Sequence, residues 1–548
     1  MSKSCKCFFS CLLLSLFCLC ISPAWAIIYE VGPGKALAEI HDFPWEDVTA
    51  GDTILIYYRE EPYRSKWSIN NSGTEEHPIA VIGVLGPDGV RPVVDGREAV
   101  ARPTNPYIDY EDRQIIKVEN DASYLIFANL DLTSTRPGNY YFTITGERDE
   151  YRTNASSMFV QSGSHMLFHN MIFRDCGNGF FSARWTVDLV IQHCQFYENG
   201  IIGSIYEHNN YTSTNGILFQ YNRFGALCDN CSGNSLKDRS AGTVIRYNWI
   251  ESTNRMLDLV ESGSQNANPG YYETHVYGNI VIDDGSGNNF MVHYGGDNGN
   301  EPSYRKGTLY FYNNTCITTR TGTEMIIRGS TDDEHVEFVN NIVYASRGTP
   351  RILGNAGTMN AYNNWFVSGY DPGVSGFNDA GNNITGSDPG FEDFENQDFR
   401  LTENSPAVNA GVDVTGLDGF HPIEGEYVSH QLGQVKRWID APDMGALEYG
   451  TGEPVKTTWA YIQGLRFEQK VTNSNNIINI NYTLPRGGAV NLDVYNSMGR
   501  HVKSLASGSL PAGNHTAIWN ARGFPAGTYF STLKTGQEQI TKPAIIAK

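Results

Sequence analysis

From about residue 160 to 370, apolar and polar residues alternate in short bursts. Each burst closes on an apolar position, at Phe173, Phe196, Phe224, Ile250, Val281, Cys316, Val343 and Phe366. The intervals between them are 23, 28, 26, 31, 35, 27 and 23 residues. Five positions before each closure stand Phe168, Ile191, Phe219, Ile245, Val276, Phe311, Phe338 and Ala361, all apolar. One residue later come His169, Gln192, Gln220, Arg246, Tyr277, Tyr312, Val339 and Tyr362, nearly all polar or amphipathic. Alternation at period two predicts strands with one face inward. Two residues before each closure lie Met171, Cys194, Asn222, Asn248, Asn279, Asn314, Asn341 and Asn364. Asparagine tolerates left-handed turns and mimics backbone hydrogen bonding, so the six stacked asparagines predict an inner ladder. A propeller blade needs about 40–50 residues, and these units are too short for one. The pattern predicts an all-β chain built as a right-handed parallel β-helix.

The flanks extend this reading. Ala50–Ile56, Pro62-Tyr63 and Pro92–Gly96 are short apolar runs between turns, which makes residues 27–100 the N-terminal cap and first rungs of a β-helix domain spanning 27–450. Segments such as Asp388–Phe391, Asp398–Leu401 and Asp443–Ala446 read as its last, irregular coils. Residues 451–476 read as a linker. Clean alternation resumes at Ile477–Tyr482 and Val490–Tyr495, predicting a small β-sandwich over 477–548. At the other end, Lys3 and Lys6 precede the apolar run Phe8–Ile21 and the small-x-small site Ala24-Trp25-Ala26. That is the pattern of a signal peptide over residues 1–26. The run is shorter than the ~20 residues a membrane span needs.

The C-terminal motifs Tyr482-Thr-Leu484-Pro485, Val494-Tyr495-Asn496, Gly499-Arg500, Gly513-Asn-His515, Trp519 and Gly527-Thr-Tyr529 resemble the sorting domain of type IX secretion cargo. The resemblance implies an immunoglobulin-like tail, recognition by that secretion machinery, and a secreted or surface-attached product of a Gram-negative bacterium.

Composition narrows the partners. With 40 basic and 60 acidic residues the net charge is −20, which argues against a nucleic-acid binder. Five of the ten cysteines leave with the leader; Cys176, Cys194, Cys228, Cys231 and Cys316 remain, an odd number that excludes complete pairing within one chain. Cys228-Asp-Asn-Cys231 fits a local disulfide or half a metal site. Between 160 and 351 stand thirteen basic residues, eleven of them Arg, among nineteen acidic ones. Arginine pairs bidentately with carboxylates and sulfates, so an anionic polysaccharide is the expected ligand of a chain otherwise expected to be monomeric.

The longest loops follow Phe224, Ile250 and Val281, and candidate chemistry gathers there. Lys237 and Arg239 crowd one turn before a strand carrying Arg246, and Arg255, Asp258 and Glu261 follow about one rung on. A lysine hemmed in by two arginines is expected to be neutral more readily and so to act as a base. β-Elimination in a uronate polymer needs such a base and a cation to neutralise the adjacent carboxylate. Lys237 is the candidate base, Arg255 the neutraliser or acid, and Arg239 and Arg246 the carboxylate clamps. His293-Tyr294 forms a second acid–base candidate, with Arg305 and Lys306 nearby and Arg328 ending another strand. Tyr277 and Tyr312, outward on one face, are candidate sugar platforms. Asp258 and Glu261 are candidate ligands for a calcium ion, and no organic cofactor is expected.

The turn Asn234-x-x-Lys237 with Arg255 eighteen residues later resembles the chondroitinase B and alginate lyase family of pectate-lyase-like solenoids. That resemblance implies a Lys base assisted by an Arg one coil on, in a secreted polysaccharide lyase. The family carries calcium-binding acidic residues just before the Lys, where this chain has Cys228–Gly233. Two other readings fit a β-helix: a glycoside hydrolase using a carboxylate pair such as Asp258 with Glu261 or Asp283 with Asp284, and a non-catalytic carbohydrate-binding surface protein.

Overall fold

A computed structural model describes residues 26–102, 111–251, 253–429, 432–435 and 441–450, together with the strands and some turns of the C-terminal part between 466 and 546. The leader and most of the linker lie outside the described residues.

The alternation closes into a parallel solenoid with three runs of strands per coil. One run includes Asn210–Thr212, Leu236–Asp238, Leu257–Leu259, Phe290–Tyr294 and Thr323–Gly329. A second includes Thr214–Gln220, Ala241–Arg246, Glu273–Tyr277, Gly307–Tyr312 and Glu334–Val339. The third is an 11-stranded sheet from Val93–Asp95 to Ile384–Gly386 that contains the repeat closures. Successive coils pair in parallel register in all three runs, as at Leu236↔Leu257, Ile245↔Val276 and Ile250↔Val281. Inward residues stack like on like. Phe168, Ile191, Phe219, Ile245, Val276, Phe311 and Phe338 share one core with Phe173, Phe196, Phe224, Ile250, Val281 and Cys316.

The asparagines form the expected ladder. The Oδ1 of Asn248 accepts the backbone N–H of Asn222 at 2.9 Å, and Asn279, Asn314, Asn341 and Asn364 each do the same for the asparagine one coil before. The ladder runs one coil further, to Asn383, which accepts from the Asn364 N–H at 3.0 Å. The left-handed residue is not the ladder asparagine but its predecessor: Tyr221 (φ 57°), Tyr247 (φ 55°), Asn313 (φ 49°), Asn340 (φ 55°) and Asn363 (φ 53°). The ladder side chain therefore holds the corner that its predecessor turns.

Tyr277 and Tyr312 do point outward, but no sugar can stack on them. The returning chain covers that face: Val414 and Ile423 pack with Tyr247, Tyr277 and Tyr312 in one cluster. The Tyr312 hydroxyl donates to the His421 carbonyl at 2.9 Å, and the Glu424 N–H donates to the Tyr247 hydroxyl at 2.8 Å. Arg246 belongs to the same covered face, donating to Gln220 Oε1 at 2.9 Å and to the Tyr277 hydroxyl at 3.1 Å. Its role as a carboxylate clamp beside Lys237 is not supported. Phe399, Tyr427 and Ala446 cover the third run in the same way, against Trp249, Ile280 and Ile317.

Cys228 and Cys231 are disulfide-bonded, while Cys176, Cys194 and Cys316 are free and buried in the solenoid. In the C-terminal part, Arg466–Thr472 is a strand pairing antiparallel with Ile477–Leu484, so regular structure begins inside the segment expected to be linker. A three-stranded and a four-stranded sheet share a core that includes Ile478, Ile480, Leu492, Val494 and Trp519.

Candidate active site on the outward row of the first run

Parallel register places one residue of each coil directly above the next. In the first run this makes an outward row Phe159–Phe181–Tyr211–Lys237–Asp258–His293–Arg328. Lys237 therefore stands within a strand, Leu236–Asp238, and not in a turn before one. Its neighbours Leu236, Leu257, Val292 and Ile327 point into the core, and alternation sends the charged residues out. Phe159, Phe181 and Tyr211 stack edge to face, with ring centroids 5.4 and 5.0 Å apart. The row is aromatic at one end and ionic at the other.

Asp258 is the centre of the ionic end. Its Oδ2 takes the Lys237 ammonium and the Asn234 amide at 2.8 Å. Its Oδ1 lies 2.6 Å from Arg255 Nη1 and 3.1 Å from His293 Nδ1. Burial by itself would raise this carboxyl's pKa, but Lys237, the His293 hydrogen bond and Arg255 outweigh it and hold the group well below the usual carboxylate range. Asp258 thus stays ionised. The expected crowding of Lys237 by two arginines is also corrected, since the lysine faces a carboxylate and Arg239 turns instead to Glu261 at 3.3 Å. Arg255 bridges onward to Asp297 at 3.0 Å. Behind the row His208 accepts the Asn234 N–H at 2.9 Å, and burial followed by the Lys237 charge keeps its imidazole neutral.

Other expected residues fall elsewhere. Tyr294 points into the core and its hydroxyl donates to the Lys306 carbonyl, so it is no acid for a substrate. Arg305 is fully buried and holds Asp238 at 3.1 Å, neutralising a carboxylate that alternation turns inward. It cannot bind substrate. Lys306 lies outside the row, paired with Asp333. Arg328 sits at the end of the row, 3.0 Å from His293 Nε2 and over the Phe290 ring with Arg255.

Asp258 and Glu261 do not fit a calcium ion. Calcium needs a cage of oxygens, whereas both oxygens of Asp258 are taken by nitrogen donors and Glu261 holds Arg239 and the Asp297 N–H. Among the described residues no group of three or more His, Cys, Asp or Glu side chains could hold a metal ion. Arg239 Nε and Arg255 Nε are buried without a hydrogen-bond partner, and the two guanidiniums reach the surface only by their outer edges.

The loop feeding His293 is pinned by a carboxyl pair. Arg320 Nε lies 2.6 Å from Glu324 Oε2 and 3.2 Å from Asp283 Oδ2, and its Nη2 donates to the carbonyls of Gly287 and Asn288. Burial, then the Asp283 charge, push Glu324 up to about 9. The folded chain therefore binds a proton there that the unfolded chain gives up near its ordinary value of ~4.3, so stability should fall as pH rises between these two values. Thermal unfolding of Glu324→Gln against the wild type should show a melting advantage for the variant that widens from pH 5 to pH 8. An unchanging difference would contradict this.

A separate cavity of 630 Å³ lies against the third run, lined by Arg136, Tyr197, Arg223 and Glu251 among others. Its arginines are already paired, Arg136 with Asp175 and Arg223 with Glu251.

Residues 474–547 match the family described as the secretion system C-terminal sorting domain. The chain is thus type IX secretion cargo, secreted or attached at the surface of a Bacteroidetes-type Gram-negative bacterium. No curated protein matches it. Among solved structures it is similar to the GH136 lacto-N-biosidase of Eubacterium ramulus, with 13% identity, a TM-score of 0.30, and 65% of this chain and 67% of that one covered. It is also similar to ORF18 of Geobacillus virus E2, with 11% identity, a TM-score of 0.31 and coverage of 84% and 71%. A third is the pectin methylesterase of Aspergillus niger, with 10% identity, a TM-score of 0.26 and coverage of 71% and 92%. At such scores none of them says anything about the chemistry of the row.

Proposed function

We propose that this exported β-helix is a polysaccharide lyase that cleaves a uronate-containing polymer by β-elimination along the first run. The observation that carries the reading is the row itself: Lys237 and Arg255 pair with one buried carboxylate, Arg328 stands against His293 at the end of the row, and the aromatic rings of Phe181 and Tyr211 lie beside them. Arg239 and Arg255 keep part of their guanidinium surface exposed beside the row, where an anionic sugar can meet it. Arg255 with Arg328 neutralises the substrate carboxylate, which stabilises the charge that develops when the C5 proton leaves. Of these cations only Lys237 is of a type that serves as a proton acceptor, a guanidinium being permanently charged. Once the ammonium has released its proton to solvent, the amine abstracts the C5 proton while Asp258 holds it in place, and the departing O4 takes a proton from the ammonium so re-formed or from water. Tyr211, in register with Lys237, offers its ring to the adjoining sugar. The test is incubation of the full chain with a panel of uronate polymers, following the ultraviolet absorbance of the 4,5-unsaturated product. A rise on one polymer supports the reading and names the substrate. New reducing ends without that absorbance would replace it with hydrolysis.

A further inference from the structure

His293 occupies the position in the row between Asp258 and Arg328, yet the elimination scheme gives it nothing to do. Its ring is fully buried and both nitrogens are engaged. Nδ1 lies 3.1 Å from Asp258 Oδ1, and Nε2 lies 3.0 Å from Ser330 Oγ. Arg255 Nη1 also lies 3.1 Å from Nδ1, but it donates to Asp258 and Asp297, so the buried, ionised carboxylate fixes the proton on Nδ1 and leaves the Nε2 lone pair toward the serine. The Ser330 Oγ accepts the Gly296 N–H at 3.0 Å, which orients its own proton to Nε2. Unlike the histidine, Ser330 is partly exposed.

The approach is built by glycine. Gly295 has φ +135°, and a Cβ there would meet Ser330 Oγ at 2.4 Å and Ser330 Cβ at 2.5 Å. Only glycine lets the His293–Asp297 strand end lie so close to the serine. Two residues from different coils and one from a third thus form an acid–base–nucleophile chain.

We infer that Ser330, His293 and Asp258 form a nucleophilic triad that hydrolyses carboxylic esters on sugar hydroxyls, an acyl-esterase activity separate from the elimination. Ser330 Oγ attacks the ester carbonyl carbon while its proton passes to His293 Nε2. The tetrahedral adduct collapses, the C–O bond to the sugar breaks, and the sugar oxygen takes the proton from Nε2. Water then attacks the acyl-serine, gives its proton to Nε2 and releases the carboxylic acid, and the proton returns to Ser330. Asp258 positions the imidazole and stabilises its charged form. Arg328 Nη1 lies 3.0 Å from the same Nε2. An ester carbonyl that takes this N–H becomes polarised and leaves the Nε2 lone pair to the serine alone. The partly exposed guanidiniums of Arg328 and Arg255 nearby favour an ester carried by an anionic sugar.

The test treats the full-length chain with a fluorophosphonate probe, maps the adduct by peptide mass spectrometry, and measures 4-nitrophenyl acetate hydrolysis in parallel. The inference expects an adduct on Ser330, its absence in Ser330→Ala, and a loss of hydrolysis of about 10³-fold or more in Ser330→Ala and His293→Ala. No adduct on Ser330 in the folded wild type overturns it, and so does undiminished hydrolysis in Ser330→Ala. The wild-type adduct needs no variant to fold. Ester hydrolysis and the unsaturated product are different readouts, so either activity can fail without the other.

Discussion

Replacing Lys237 with alanine is expected to slow formation of the unsaturated product by roughly 10²- to 10⁴-fold, the usual worth of a positioned acid–base group. The loss should lie mainly in kcat, because Arg255 and Arg328 remain to hold the substrate carboxylate. Asp258 keeps Arg255, His293 and Asn234 as partners, so the variant should fold, with circular dichroism as the check. The pH profile provides a second readout. If the amine acts as the base, wild-type turnover should fall toward acid pH, and the residual turnover of the variant should not follow it. Arg255→Lys, by contrast, should raise KM as well as lower kcat, because an ammonium loses the planar pairing with a carboxylate. A Lys237→Ala enzyme with near-wild-type kcat would remove the lysine from the chemistry.

Substituting Asn279 by leucine is expected to have the largest effect on stability. Its Oδ1 accepts both the N–H and the side-chain amide of Asn248 at 2.9 Å, and its Nδ2 donates to the carbonyls of Ile245 and Tyr277. The substitution strands these donors and acceptors in a buried corner where water does not reach them. At about 1–3 kcal/mol for each group left unsatisfied, and with imperfect additivity, the cost should reach roughly 3–5 kcal/mol. Asn383 accepts from Asn364 in the same way at the partly buried end of the ladder, and its Nδ2 donates to the Ala361 carbonyl and to Asp379 Oδ1. Asn383→Leu should therefore cost less, about 1 kcal/mol, because water can replace the lost partners. Urea unfolding of the two variants reads this difference directly. Equal costs would mean that the ladder is not what holds the corners.

The coil was legible because a parallel solenoid repeats its chemistry locally. Strand, corner and closure recur within each 23 to 35 residues, and the asparagine column announced the ladder without any long-range information. The site was legible only in part. Lys237, Arg255, Asp258 and His293 could be picked out by type and loop length, but the row that unites them follows from register, which loop lengths conceal. Tyr211 and Ser330 attracted no notice because each lies in a short, ordinary-looking segment. Arg305 misled for the opposite reason: nothing local distinguishes an arginine that pairs with the inward Asp238 from one that faces solvent. Tyr277 and Tyr312 were correctly placed outward, and what hid them was chain about a hundred residues downstream.

That downstream cover has a consequence for how the protein is made. The contact between Tyr312 and His421 spans 109 residues and that between Tyr247 and Glu424 spans 177. Coils can zip up one upon another as they emerge, whereas the tyrosine and tryptophan stripes stay bare until the returning segment arrives. A chain interrupted near residue 390 would be a well-wound rod with two sticky sides, and lateral clumping would be its natural fate. The returning segment thus serves the molecule as a built-in chaperone as much as a lining, and its last-minute arrival makes solubility a test of completed synthesis.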